Sequence, residues 1–247
     1  SGDLIDLFAK NKSLIPCFPA ILIGKDYTAA VEFLKAVKPN HILSNNSGLA
    51  AVASEMAIPW IAGAQLNLIN SYSLLSLKEN FNCSGAFISN EISQQQIRRI
   101  KEPENFELYY CIYQPLMLLS SRQCLFQQIS GCENDCIEAD CLEQCSKSAS
   151  ITNLKERRFF IEKSAASHNR IYNGLNFLNT EIVNDLAGHF RGFMIDLRDI
   201  KTETQAATGK AELIRLFENF LQGDMESALK IKRAIFPTTN SQYINGL

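Results

Sequence analysis

Short apolar runs alternate with amphipathic stretches through the first half of the chain. His41–Ser44, Pro59–Ala64, Gly85–Ser89 and Phe106–Tyr113 read as buried strands, each bounded by polar turn residues. Between them, Ala29–Val37 puts Val31, Leu34 and Val37 on one helical face, and Leu49–Met56 is a helix of small residues. Gln65 to Asn70 leads into a helix through Leu77, and Ser93 caps a helix running to Ile100. Upstream, Leu4–Lys10 reads as the end of a helix and Leu14–Ile23 as an apolar strand. Pro16 and Pro19 remove ladder donors from that strand, so its first half reads as an edge or an approach to the sheet. Gly24-Lys25-Asp26 is a turn, with Asp26 or Thr28 capping the next helix.

Strands alternating with helices of this size predict βαβ units and a parallel sheet. The fold class expected is α/β: an incomplete TIM-like parallel β/α barrel with a Cys-rich insertion and a helical C-terminal tail. One domain spans 1–247, with βα units over 12–120. The Cys-rich insertion and a hairpin occupy 121–165, and the last strand and C-terminal helices occupy 166–247. Leu108 to Leu119 reads as one buried strand, and Ile151–Phe160 alternates like an antiparallel hairpin with its tip near Lys155-Glu156. Arg191–Leu197 is a further buried strand, Glu212–Leu221 and Met225–Arg233 are amphipathic helices, and Pro237 to Leu247 reads as polar and irregular. About six parallel strands result, short of the eight of a closed barrel. Together with the missing initiator Met, this reads as the downstream part of a longer chain.

Composition narrows the function classes. Apolar content of 46%, charged content of 20% and a net charge of −2 describe an ordinary globular chain with no global field drawing it to nucleic acid or lipid. The basic runs Arg98, Arg99, Lys101 and Lys230, Lys232, Arg233 read as solvated faces. No apolar stretch is long enough to span a membrane and no signal peptide opens the chain, so a cytoplasmic, reducing setting is expected. Five of the eight cysteines, Cys124, Cys132, Cys136, Cys141 and Cys145, gather where the apolar run ends. Thiolates at such spacing suit a soft metal or an iron–sulfur cluster, and a reducing compartment disfavours the disulfide alternative. On the residues alone a structural zinc ranks first. Cys17, Cys83 and Cys111 sit in or beside apolar strands and read as small core residues.

Polar residues recur just past each strand: Asn45-Asn46, Gln65 and Asn67, Asn90-Glu91. The carboxyl ends of parallel strands would collect them at one mouth, where Asn67, Asn70 and Glu91 can hold a polar substrate. Arg122, two residues before Cys124, can reach cluster sulfurs or an anionic substrate. Of the three histidines, His41, His168 and His189, only His168 falls near the cysteine segment, where a Cys–His dyad is conceivable. Asp196 and Arg198 alternate along the last strand, so one of them faces the mouth. A Ser–His–Asp triad, a Walker loop, GxGxxG and HExxH are all absent.

Several segments, in order, resemble one family. LIPCFPAI, NSGLA, IAGAQLNLINS, ISNEISQQQI, YQPLMLLSSRQC, RIYNGLNFL and FMIDLRD are similar to the barrel segments of the collagenase-like peptidase U-32 family. The likeness runs from about residue 12 to 200. It implies a parallel α/β barrel with an iron–sulfur cluster at its mouth, now ranked before zinc. The family's name implies a peptidase, whereas several branches resemble oxygen-independent hydroxylation factors acting on tRNA, ribosomal RNA or ubiquinone precursors. A third reading is a non-catalytic, degenerate half-barrel that binds RNA or a partner domain. The likeness also implies, as partner, a missing N-terminal barrel half. By it Cys124, Cys141 and Cys145 match cluster ligands, with the fourth ligand Cys132, Cys136 or His168; the preferred 4Fe-4S set is Cys124, Cys132, Cys141 and Cys145. The catalytic candidates are Glu91, Asn67, Arg122 and His168. Two departures stand out. Ser167-His168-Asn169 replaces a family cysteine, and Gln114 replaces the usual glycine before Pro-Leu-Met.

Overall fold

The structure, a computed structural model, describes residues 2–129, 131–132, 149–164 and 168–246. Its contacts group into two compact units: Ser1–Cys111 with Asp185–Met194 and Ser241–Leu247, and Ile112–Asn184 with Ile195–Asn240.

The first unit is the predicted βα rhythm. In chain order it holds α1 (Gly2–Lys10), β1 (Cys17–Phe18), α2 (Lys25–Val37), β2 (Ile42–Ser44) and α3 (Ser47–Glu55). There follow β3 (Trp60–Ala62), α4 (Ser71–Phe81), β4 (Cys83–Phe87), α5 (Gln94–Ile97) and β5 (Glu107–Gln114), whose last three residues belong to the second unit. Strands β1 to β5 lie side by side in sequence order, all parallel. Buried Leu34, Ile42, Leu49, Ala53, Trp60, Leu74, Ala86 and Ile97 form the layer between helices and sheet. Trp60 is anchored at both ends of its chemistry: its ring is buried, and its Nε1–H donates to the carbonyl of Phe81 at 2.8 Å.

Prolines shorten β1 as their missing donors require. The carbonyls of Pro16 and Phe18 still accept from Leu43 and Asn45 at 2.9 and 3.1 Å, so only Cys17–Phe18 joins the ladder. Helix α2 starts earlier than its apolar stripe, at Lys25, and neither Asp26 nor Thr28 caps it; Gly24 is the N-cap, without a side-chain bond. Ser93 caps α5 as expected, in a reciprocal capping box with Gln96.

The second unit adds β6 (Met117–Ser121), α6 (Leu125–Ile129), β7 (Ala149–Thr152), β8 (Arg158–Ser164), β9 (His168–Asn173), β10 (Asn176–Leu178) and α7 (Glu181–Asp185). The run from Leu108 to Leu119 is therefore not one strand. Pro115 ends β5, and the chain re-enters as β6 in a separate antiparallel sheet ordered β6-β9-β8-β7, with Leu118 and Leu119 about half exposed. The hairpin expected over Ile151–Phe160 is β7–β8, closed by Asn153, whose Oδ1 accepts from the amides of Lys155 and Arg157 at 2.9 and 3.0 Å.

The remaining elements are β11 (Gly192–Ile195), β12 (Gln205–Ala206), α8 (Lys210–Leu221), α9 (Met225–Ala234), β13 (Ile235–Phe236), β14 (Thr238–Thr239) and α10 (Ser241–Asn245). β11 pairs with β5, and the amides of Arg191 and Asp196 donate to the carbonyls of Leu108 and Tyr113 at 2.8 and 2.7 Å. The two strands thus advance together, giving the sixth parallel strand. Helix α8 buries Leu213, Leu216, Phe217 and Phe220, and Asp224 caps α9 through the amide of Glu226. The tail is not irregular: β14 pairs parallel with β10, which itself runs antiparallel to β5. Tyr243 in α10 is buried and donates to the Asp185 carboxylate at 2.9 Å. A parallel-dominated sheet with intervening helices is the α/β class of an incomplete TIM-like barrel.

Gly85 marks the tightest point of the parallel sheet. A Cβ there would stand 2.7 Å from the carbonyl oxygen of Glu107 and 3.0 Å from the Tyr109 ring. Backbone cannot yield as a side-chain tip can, so Gly85→Ala is expected to lower the unfolding free energy by about 1–3 kcal/mol in urea denaturation.

Candidate functional site

In the first unit the expected polar turns do sit at the carboxyl ends of β2, β3 and β4, and neighbouring turns bond to one another. Asn45 donates from Nδ2 to the Phe18 carbonyl at 3.0 Å and accepts at Oδ1 from the Gln65 amide at 2.9 Å. Gly63 makes this possible: a Cβ there would stand 2.2 Å from Asn45 Oδ1. Asn46 caps α3 through Leu49 and donates to the Ala20 carbonyl at 2.8 Å. Asn70 caps α4 through Ser73, and buried Asn90 donates to the Cys111 carbonyl at 2.8 Å. Each of these carboxamides ties down backbone, a task that chain order does not reveal.

Asn67 and Glu91 come together through Ser89. The Ser89 hydroxyl donates to Asn67 Oδ1 at 2.5 Å and accepts from the Glu91 amide at 3.1 Å. Asn67 holds a left-handed backbone with φ of 52° as the 3-10 turn Ala64–Leu66 ends, a conformation asparagine tolerates. The Glu91 side chain is exposed, and among the described residues no hydrogen bond or ion pair uses its carboxylate.

In the second unit, strand pairing joins the segment just before Arg122 and Cys124 to the strand that begins at His168. Ser121, the last residue of β6, lies opposite Asn169 of β9. One turn later Asn169 Nδ2 donates to the Gln123 carbonyl at 2.8 Å, clamping the residue between Arg122 and Cys124. Arg122 is exposed, Cys124 is a half-buried free thiol, and buried Phe126 anchors the short helix that follows. His168 is 1% exposed, and its Nε2 accepts from the Arg170 Nε at 3.3 Å. That bond occupies the lone pair a cysteine nucleophile would need from this nitrogen. Asn169 Oδ1 is buried without a partner among the described residues.

The thiols sort by environment. Cys132, like Cys124, is half-buried, whereas Cys83 and Cys111 are buried core residues. Burial pushes the Cys83 thiol up to about 11, its hydrogen donated toward the carbonyls of Trp60 and Gly85. Cys17 is exposed rather than buried, because its edge strand has a neighbour on one side only. Cys136, Cys141, Cys145 and Ser167 lie outside the described residues. As chemistry, a half-buried thiol at Cys124 just past the clamped Gln123, with Cys132 also half-buried, suits a thiolate-held iron–sulfur or zinc centre. Among the described residues, no three His, Cys, Asp or Glu side chains stand together as a complete metal site.

Sequence reading missed a charged group on β8 and β9. Glu162 and Arg170 are cross-strand partners. Burial pushes the Glu162 carboxyl above its ordinary range, outweighing the opposing pull of the Arg170 and Arg198 guanidiniums. Arg198 itself is engaged by Asp196, with contacts of 2.6 to 2.9 Å. Burial likewise raises Tyr113, whose hydroxyl accepts from Asn176 at 2.9 Å. An acidic residue inside the apolar run Phe159-Phe160-Ile161-Glu162 was the available signal, but its partner depends on register.

Compared with known families, residues 24–207 match the model described as peptidase family U32. Neither the curated proteins nor the solved structures gave a match. Among the described residues, no helix is long and apolar enough to cross a membrane.

Alkylation mapped by mass spectrometry at about pH 8 is expected to modify Cys124 and Cys132 in the folded protein while Cys83 and Cys111 react only after unfolding. Asn169→Ala should speed Cys124 labelling several-fold by releasing the Gln123 carbonyl. An unchanged rate would show that the clamp does not hold this turn.

Proposed function

Because this chain belongs to peptidase family U32, we propose that it is a U32-type enzyme domain that hydroxylates an RNA base with a 4Fe-4S cluster held by Cys124 and its neighbouring cysteines. The observation that carries the reading is the clamped turn: Cys124 is a free, half-buried thiol next to Gln123, whose carbonyl is tied to β9 by the Asn169 carboxamide. A ligand to an electron carrier has to be held still through oxidation and reduction, and a buried carboxamide does that without charge. When bound, such a cluster supplies one-electron transfer. With water as the oxygen source, converting a C–H bond to C–OH releases two protons and two electrons, so an external one-electron acceptor must be reduced twice. Arg122, exposed one residue before the clamped Gln123, offers its guanidinium to an RNA phosphate. Cys132 completes the described part of the ligand set, and Cys141 and Cys145 are proposed to supply the rest.

The alternative is a peptidase, as the family's description says. A cysteine peptidase would need a thiol paired with an imidazole base, and the His168 Nε2 lone pair is engaged by Arg170.

Protein purified without oxygen is expected to carry about four irons and four acid-labile sulfides per chain, with a visible charge-transfer band. Cys124→Ser should abolish both. One zinc without sulfide would make the cysteines a structural staple. Neither metal nor sulfide, even after reconstitution, would remove the redox reading and leave a non-catalytic RNA-binding module.

A further inference from the structure

We propose that Glu162 and Arg170 read the substrate, gripping the base edge at which an N–H donor stands beside a hydrogen-bond acceptor. This rests on the RNA-base reading above and assigns it two residues.

The two side chains face each other in register across β8 and β9. Cβ atoms at directly opposed positions stand only about 5 Å apart, close enough for a glutamate and an arginine to meet. They do not meet. Among the described residues, no hydrogen bond or ion pair uses the Glu162 carboxylate or the terminal nitrogens of Arg170. Other opposite charges of this unit do close: Arg198–Asp196 and Lys232–Glu181 at 2.6 Å, Arg215–Glu212 at 2.7 Å. The open pair is also held open. Arg170 is tethered by its Nε to buried His168, and Asp196 engages the other guanidinium that Glu162 feels. A partly buried carboxylate without a donor is a costly arrangement, and burial accordingly favours its protonated form.

The complement of this pair follows from its donors and acceptors. The guanidinium only donates and the ionised carboxylate only accepts, so the missing group must offer an acceptor and a donor side by side. Uracil does so with O4 beside N3–H, and cytosine with N3 beside its amino group. A trans peptide bond points its N–H and C=O to opposite sides and cannot close both contacts at once. The pair therefore favours a nucleobase over a peptide backbone.

The test is an NMR-followed titration of uridine and 3-methyluridine into the full chain carrying Cys124→Ser, where no result depends on a cluster. Uridine should bind, and methylation at N3, which removes the donor, should weaken binding at least about tenfold. Glu162→Leu and Arg170→Met, with melting temperatures as controls, should each cost uridine about tenfold. Absence of uridine binding, equal binding of 3-methyluridine, or uridine binding unchanged in either variant would overturn the assignment. The expected binding pattern together with an iron-free parent protein would keep the base reader and defeat the cluster.

Discussion

Buried backbone must find partners, and nowhere is that demand heavier than on β5. Its residues Tyr110, Cys111 and Ile112 are fully buried, so every carbonyl along it needs a donor from the protein. The donors come from separate parts of the chain: Ile88 for Tyr109, Arg191 for Leu108, Asn179 for Ile112, Asp196 for Tyr113, and the Asn90 side chain for Cys111. One strand thereby commits residues from both halves of the sequence to fixed positions. Pro115 then closes the ladder and releases the chain into the antiparallel sheet that carries the cysteine turn and His168.

The same demand explains which polar residues are spent and which are left. Asn45, Asn46, Asn70 and Asn90 satisfy backbone groups at strand ends and helix starts, and have little left to offer a substrate. Glu91 at the surface, Cys124 on its turn and the Glu162–Arg170 pair keep unused capacity. A side chain's chemistry becomes available where the fold has not already claimed it.

This division also marks what was legible in the sequence. The βα rhythm announced itself because helix and strand periods are local, and the capping box at Ser93 is written in adjacent residues. The run Leu108–Leu119 misled because its apolar character is continuous across Pro115, while strand termination depends on one missing N–H. The tail misled because Tyr243 is its single buried aromatic anchor, too sparse for any periodicity. Among candidate site residues, Arg122 and Cys124 follow the end of β6, whose antiparallel pairing with β9 joins segments that lie far apart in the chain. Glu162 and Arg170 stayed hidden because the identity of a cross-strand partner follows from register, which the local sequence of neither strand states.

Gly63 and Asn45 carry a consequence for how this fold can vary. The Asn45 carboxamide fills the space that any side chain at position 63 would need, and two hydrogen bonds hold it there. A change at either position alone meets a steric or a hydrogen-bonding penalty. The two sites form a single unit of inheritance: a lineage that enlarges residue 63 must first shrink residue 45 and find new donors and acceptors for the turns it joined.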